Sequence, residues 1–180
     1  MKNRTKKFVV LAIALALLVP LAIAQVYTTT QVFFNVASVV GFTLTLPGQS
    51  ATIANSTGAP TAAIEFNSTS GTDNNVDAQV SGGAVQNSTT PIFEYDNTGT
   101  VDLNISVYLD SDTLACINLT GATTHAGADN GEQITSTSNT TVVNNYGPAA
   151  AAQEWYMKAD FNACTQGQTT RTLTSLGVQS

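Results

Sequence analysis

The most regular pattern in the chain runs from residue 101 to 109, where Val101, Leu103, Ile105, Val107 and Leu109 alternate with Asp102, Asn104, Ser106 and Tyr108. A period of two predicts a strand with one face in a core and the other toward water. The preceding Asn97-Thr98-Gly99 reads as a turn, with Gly99 free to take positive φ. Runs rich in β-branched and aromatic residues, broken by Gly, Asn, Asp, Ser and Pro, predict further strands over 26–34, 36–46, 61–66, 76–80, 91–95, 114–119, 140–143, 155–161 and 170–178. Helical periodicity is hard to find. The one stretch of helix-forming composition, Pro148 to Glu154, starts on a proline and reads either as a short helix or as the extension of a strand. Strands this short and numerous predict an all-β domain, a sandwich of the jelly-roll or Greek-key kind.

The start of the chain follows a different rule. Lys2, Arg4, Lys6 and Lys7 precede an apolar run from Phe8 to Ile23, and Ala22-Ile23-Ala24 offers small residues at the spacing a signal peptidase reads. The pattern predicts a signal peptide over 1–24 and a secreted mature chain beginning at Gln25, with 156 of the 180 residues in a single domain. An uncleaved membrane anchor is the competing reading, since about 17 apolar residues is the lower limit for a span. Pro20 and the small-residue site favour cleavage, after which no membrane contact is expected. Outside the cell Cys116 and Cys164 are expected to form one intrachain disulfide. Closing a loop of that length stabilises by about 4 kcal/mol on the chain-entropy account. A reactive or metal-binding thiol pair is the alternative, but no His or acidic cluster adjoins either cysteine in sequence.

Residues 25–46 carry no charge and no proline, and are long for one strand. An apolar, extended segment with unpaired backbone groups is a template for pairing with another chain. Two arrangements cover it. It pairs inside its own sandwich, or it leaves its domain and completes a neighbour's sheet by donor-strand complementation.

Composition narrows the function. The chain has 28 Thr and 15 Asn but a single His, and beyond residue 7 its only cations are Lys158 and Arg171. Those two stand against twelve acids, a formal charge of −10 for the mature chain, which repels nucleic acid and anionic headgroups. Six Asn-x-Ser/Thr signals, at Asn55, Asn67, Asn87, Asn104, Asn118 and Asn139, make a sugar coat the expectation, with Asn104 accessible on the polar face of its strand. The acidic turns Asp110-Ser111-Asp112 and Asp129-Asn130-Gly131-Glu132 lack the spacing of a calcium loop and read as solvated turn residues. His125 has no nucleophile elbow to serve, and the carboxylates of Glu94 and Asp102 sit at water-facing positions with no sign of a cleft. No enzyme, cofactor or metal is expected.

The signal peptide followed directly by Val32-Phe33-Phe34-Asn35-Val36 to Phe42-Thr43-Leu44-Thr45-Leu46, together with Asp96-Asn97-Thr98-Gly99-Thr100-Val101-Asp102-Leu103, resembles the TasA and camelysin group of biofilm-fibre proteins. It is more closely similar to the archaeal bundling-pilus and thread subunits related to them. That resemblance implies a jelly-roll subunit of an extracellular pilus or biofilm fibre, whose first mature strand inserts into the next copy. The partners it implies are identical subunits in a head-to-tail homopolymer, with lateral bundling and a role in adhesion or cohesion. Carried onto this sequence, 25–35 is the donor and 36–180 the sandwich, with Val26, Thr28, Thr30, Val32 and Phe34 on one face and Tyr27 and Phe33 on the rival face. The runner-up is a monomeric cell-surface or S-layer-associated β-sandwich that binds a partner.

Overall fold

A computed structural model describes residues 40–49, 51–53, 63–165, 167 and 169–180. The predicted strand over 26–34, all five donor positions and Asn55 lie outside the described residues. The strands are β1 (Phe42–Leu46), β2 (Ala51–Ile53), β3 (Ile64–Glu65), β4 (Val76–Asp77), β5 (Gln79–Val80), β6 (Phe93–Asn97), β7 (Leu103–Leu109), β8 (Ile117–Ala122), β9 (Glu132–Gln133), β10 (Thr140–Tyr146), β11 (Gln153–Phe161) and β12 (Leu173–Gln179). One antiparallel sheet has the order β2-β1-β6-β11-β8-β9, with β4 also pairing β11. A second has the order β10-β7-β12, and β3 pairs β5 in a small ribbon. From β6 onward every connection except β8 to β9 passes between the two large sheets, so neighbours in sequence face each other across the core. The protein is an all-β sandwich.

β7 follows its sequence pattern: Leu103, Ile105, Val107 and Leu109 are buried, while Asn104, Ser106 and Tyr108 are half-buried on the outer face. Phe93, Tyr95, Leu119, Trp155 and Met157 join them in the core from the facing sheet. Each fully buried Val, Leu, Ile or Phe contributes about 1.5–3 kcal/mol of transfer free energy. Two contacts fix the separation of the walls. Tyr95 Oη lies 2.9 Å from Ser175 Oγ on β12, and at Gly177 a Cβ would come within 2.8 Å of the Phe42 ring. A side chain at 177 would force the sheets apart.

The turn after β6 is held by a side chain. Asn97 is buried; its Nδ2 donates to the carbonyls of Tyr146 at 2.6 Å and Val101 at 2.9 Å, and its Oδ1 accepts the Gly99 N–H at 2.9 Å. The expectation of positive φ at Gly99 is corrected: among the described residues the positive-φ glycines are Gly71, Gly82 and Gly167. The Asn97 carboxamide closes the turn without a left-handed residue.

The helical option for Pro148 to Glu154 is also overturned. The Ala150 N–H turns back to Gly147 O at 3.1 Å, and β11 begins at Gln153, opposite Tyr95 on β6. Tyr146 Oη, 2.8 Å from Tyr95 O and 3.1 Å from Ala151 O, holds the chain where sheet pairing outcompetes local helix propensity. The strand over 76–80 splits at Ala78, whose N–H reaches Met157 O at 3.3 Å and whose carbonyl accepts from Gln86 N at 2.9 Å. Within the predicted strand over 61–66, of which 61–62 lie outside the described residues, β3 covers Ile64–Glu65, and β2 and β9 have no counterpart in the sequence reading.

Candidate functional site

β12 pairs with β7 in unbroken register from Leu173↔Leu109 to Gln179↔Leu103. Beyond the strand ends, Asp110 N donates to Thr172 O at 2.9 Å and Ser180 N to Asp102 O at 3.1 Å. Those bonds fix the alternation of an antiparallel ladder: 174, 176 and 178 turn their backbone groups to β7, and Leu173, Ser175, Gly177 and Gln179 turn theirs to the opposite edge. Among the described residues no strand lies beside that edge. Leu176 (38 % exposed) and Val178 (46 %) stand on its outer surface. Across the interior, Phe42 and Leu44 of β1 are half-buried against the core. Among the described residues these backbone groups have no strand beside them and are flanked by apolar side chains on both surfaces.

A closed end lies at the start of β8 and the finish of β11. Cys116, one residue before β8, and Cys164, after β11, form a disulfide with Cα atoms 5.4 Å apart. It lies just past the last register pair of those strands, Phe161↔Ile117, where Asn162 N also donates to Cys116 O at 2.8 Å. The neighbouring turn is organised by Asp73, whose carboxylate accepts from Ser68 Oγ, Ser70 Oγ and the Thr69 and Ser70 N–H groups. Those bonds, the Ser70 hydroxyl foremost, hold the Asp73 carboxyl down to about 2. Gly71, at φ 73°, lets this turn meet the Cys164 carbonyl.

A third feature was not anticipated from sequence. Lys158 on β11 is 5 % exposed, and its Nζ contacts Asp129 Oδ1 and lies 3.6 Å from Asp77 Oδ1. Asp77 Oδ1 is also 2.9 Å from His125 Nε2 and accepts from Gln86 Nε2 at 3.1 Å. Gln86, itself buried, donates to Met157 O at 2.6 Å and accepts the Met157 N–H at 3.1 Å. The His125 ring packs edge-on against Tyr156, centroids 5.8 Å apart. Burial, and then the Glu154 carboxylate that accepts its hydroxyl at 2.9 Å, push the Tyr156 phenol up to about 12. The readable signal was Lys158 itself, a charge inside Trp155-Tyr156-Met157-Lys158-Ala159.

The glycosylation signals differ in setting. Asn67 and Asn139 are exposed. Asn87 is exposed, with Oδ1 accepting from Thr89 N–H, Thr89 Oγ1 and Thr90 N–H. Asn104 is half-buried, its Oδ1 taking the Asn145 N–H at 2.9 Å, and it sits opposite Val178 on β12. Asn118 is half-buried on β8, and the hydroxyl of its signal, on buried Thr120, donates to Ala128 O at 2.7 Å. The acidic turns are tied inward and are not simply solvated. Asp112 Oδ1 accepts Ser136 N–H and Oγ–H at 2.8 Å each, Asp110 Oδ1 accepts the Thr172 N–H at 3.0 Å, and Asp129 holds Lys158. Hydrogen bonds to the charged form lower both Asp110 and Asp112. Among the described residues no group of three or more His, Cys, Asp or Glu is placed to hold a metal ion. Glu94 is half-buried on β6 and Asp102 is exposed before β7.

These elements define a disulfide-linked all-β sandwich whose smaller sheet, among the described residues, ends at β12 on one side and β10 on the other. No family model matches the chain, and no curated protein and no solved structure matches it.

Proposed function

We propose that the chain is a secreted structural subunit of an extracellular filament, each copy lending its first mature strand, Gln25 to Phe34, to the open β12 edge of the next. The observation that carries this reading is that edge. It has outward-turned backbone groups at Leu173, Ser175, Gly177 and Gln179, and Leu176 and Val178 exposed beside them. An added strand makes the smaller sheet four-stranded, as a jelly roll requires. Ten residues at about 3.3 Å each span about 33 Å, enough to run the length of β12. The segment is uncharged, which suits a place beside the partly buried Phe42, Leu44 and Leu173. Val32 and Phe34 bury the most apolar surface when the face they share turns to the core. A head-to-tail contact of this kind does not close on itself and grows an open filament. Sugars on the outward surface keep a chain poor in Lys and Arg soluble and set its lateral contacts.

Deleting residues 25–34 tests the reading. The expected product is secreted, fails to form fibres in negative-stain microscopy, and regains thermal stability on addition of a peptide of sequence 25–34. Fibres of unchanged stability from the truncated chain would overturn it. A full-length protein that stays monomeric at high concentration would instead mean that the segment pairs within its own sheet.

A further inference from the structure

We infer that Lys158 and Asp129 are joined by an intramolecular amide that the folded domain forms for itself, with Asp77 carrying the proton. Beyond residue 7 the chain has one lysine, and its side chain is 7 % exposed at the centre of β11. A lysine this enclosed is rare without a partner, and a single carboxylate would neutralise it. Two are present. Asp129 contacts Nζ from the short turn Gly127–Asn130 that lies over β8 and β11, and Asp77 stands 3.6 Å from the same nitrogen. The second carboxylate is held on the other side by His125 Nε2 and by the amide of buried Gln86. Asp77 is thus fixed beside the amine without being its closest partner.

That arrangement supplies each part an amide-forming step needs. The ammonium of Lys158 gives one proton to the Asp129 carboxylate it contacts, leaving a neutral amine against a carboxylic acid. The amine nitrogen attacks Asp129 Cγ. Asp77 takes a second proton from the nitrogen and passes it to the departing hydroxyl, which leaves as water. One N–C bond forms and one C–O bond breaks, and the ammonium and one carboxylate become a neutral amide plus one water. Nothing is oxidised, and no co-reactant is consumed. Holding the two groups together in the fold provides the effective concentration that free lysine and aspartate lack. The bond would tie the covering turn to β11 by a link that neither reductant nor salt can break, and it does not depend on whether the subunits polymerise.

The test uses the full chain expressed without N-glycosylation, processed by its host, then denatured and reduced. A protease specific for lysine has one site beyond the leader, at Lys158. The expected result is a chain that resists cleavage and weighs one water less than its sequence. A chain cut into two pieces at full sequence mass would overturn the proposal and leave an ion pair. Asp77→Ala, which retains both reacting groups, is expected to restore cleavage and the missing water in a protein that still forms the Cys116–Cys164 bridge. A dehydrated Asp77→Ala chain would remove Asp77 from the mechanism. Asp129→Ala must also be cleavable, and resistance there would refute the assigned linkage.

Discussion

β11 and β12 follow one another in the chain and are both long strands of a sandwich, yet their surroundings are opposite. Trp155 to Ala159 of β11 are buried on both faces, because the core covers one and the Gly127–Asn130 turn with His125 covers the other. β11 also has neighbours on both edges, β8 on one and β6 and β4 on the other. Among the described residues β12 has one paired edge, and none of its residues is fully buried. A strand enclosed on all sides can only serve stability and is specified by packing. A strand with one ladder missing carries an unmet capacity for association. Among the described residues the same chain therefore separates a hub from a strand with one unpaired edge.

The largest effect should come from the hub. Trp155 is 2 % exposed and lies over Gly121, where a Cβ would come within 2.4 Å of its ring. Trp155→Ala is expected to cost about 3–5 kcal/mol in urea unfolding, the range for emptying an aromatic site. Trp155→Phe should cost much less, since the buried indole N–H has no hydrogen-bond partner among the described residues. Equal losses for the two variants would mean that volume does not govern this site.

Next in size is the closed end. Replacing both Cys116 and Cys164 by Ser removes a link of sequence separation 48 and is expected to cost about 4 kcal/mol on the loop-entropy account. Hydrogen exchange should speed up at Ile117 and Phe161 more than along β7. Uniform acceleration would show that the bridge acts only through the unfolded chain.

How much of this contrast could be read in advance depends on where the deciding contact lies. β7 was legible because its burial is set by its own alternation, and the disulfide because two cysteines allow one intrachain pairing. The burial of Lys158 was not, since the cover comes from a turn nearly thirty residues earlier, and only its place in an apolar run hinted at it. Gly99 and Pro148 to Glu154 were left open for the same reason. Local propensity allowed a left-handed glycine at the one and either a helix or a strand extension at the other, while Asn97 and Tyr146 reach across the sandwich and decide the backbone by hydrogen bonds.

A smaller effect is expected where one side chain joins the two sheets. Asn97→Ala removes donors from the carbonyls of Tyr146 and Val101 and the acceptor of the Gly99 N–H. Leaving buried polar groups unpaired costs about 1–3 kcal/mol. Asn97→Asp should be no better, since it keeps the acceptor for Gly99 but loses the amide donor. Full recovery with Asp would place the energy in the turn and not in the link to β10.

The smallest change in stability should come from the open edge, and it sharpens the comparison most. Backbone groups alternate along β12, so the Gln179 N–H points away from β7 while the Val178 N–H points toward it. Proline is tolerated on an edge strand where its missing N–H would have faced solvent. Gln179→Pro is therefore expected to leave the unfolding free energy within about 0.5 kcal/mol of the parent, because it breaks no existing ladder bond and Gln179 is exposed. Val178→Pro, one residue earlier, removes a bond to β7 and should cost about 1 kcal/mol or more. In the proposed filament the order reverses in meaning. Gln179→Pro removes a donor that an incoming strand needs and places a ring against it, so fibres should nucleate more slowly and dissociate at lower temperature although the isolated subunit is as stable as before. Equal destabilisation by the two prolines would show that the edge is not open at 179. A stable Gln179→Pro subunit whose fibres assemble and melt like the parent's would show that an incoming strand, if there is one, does not use the end of β12.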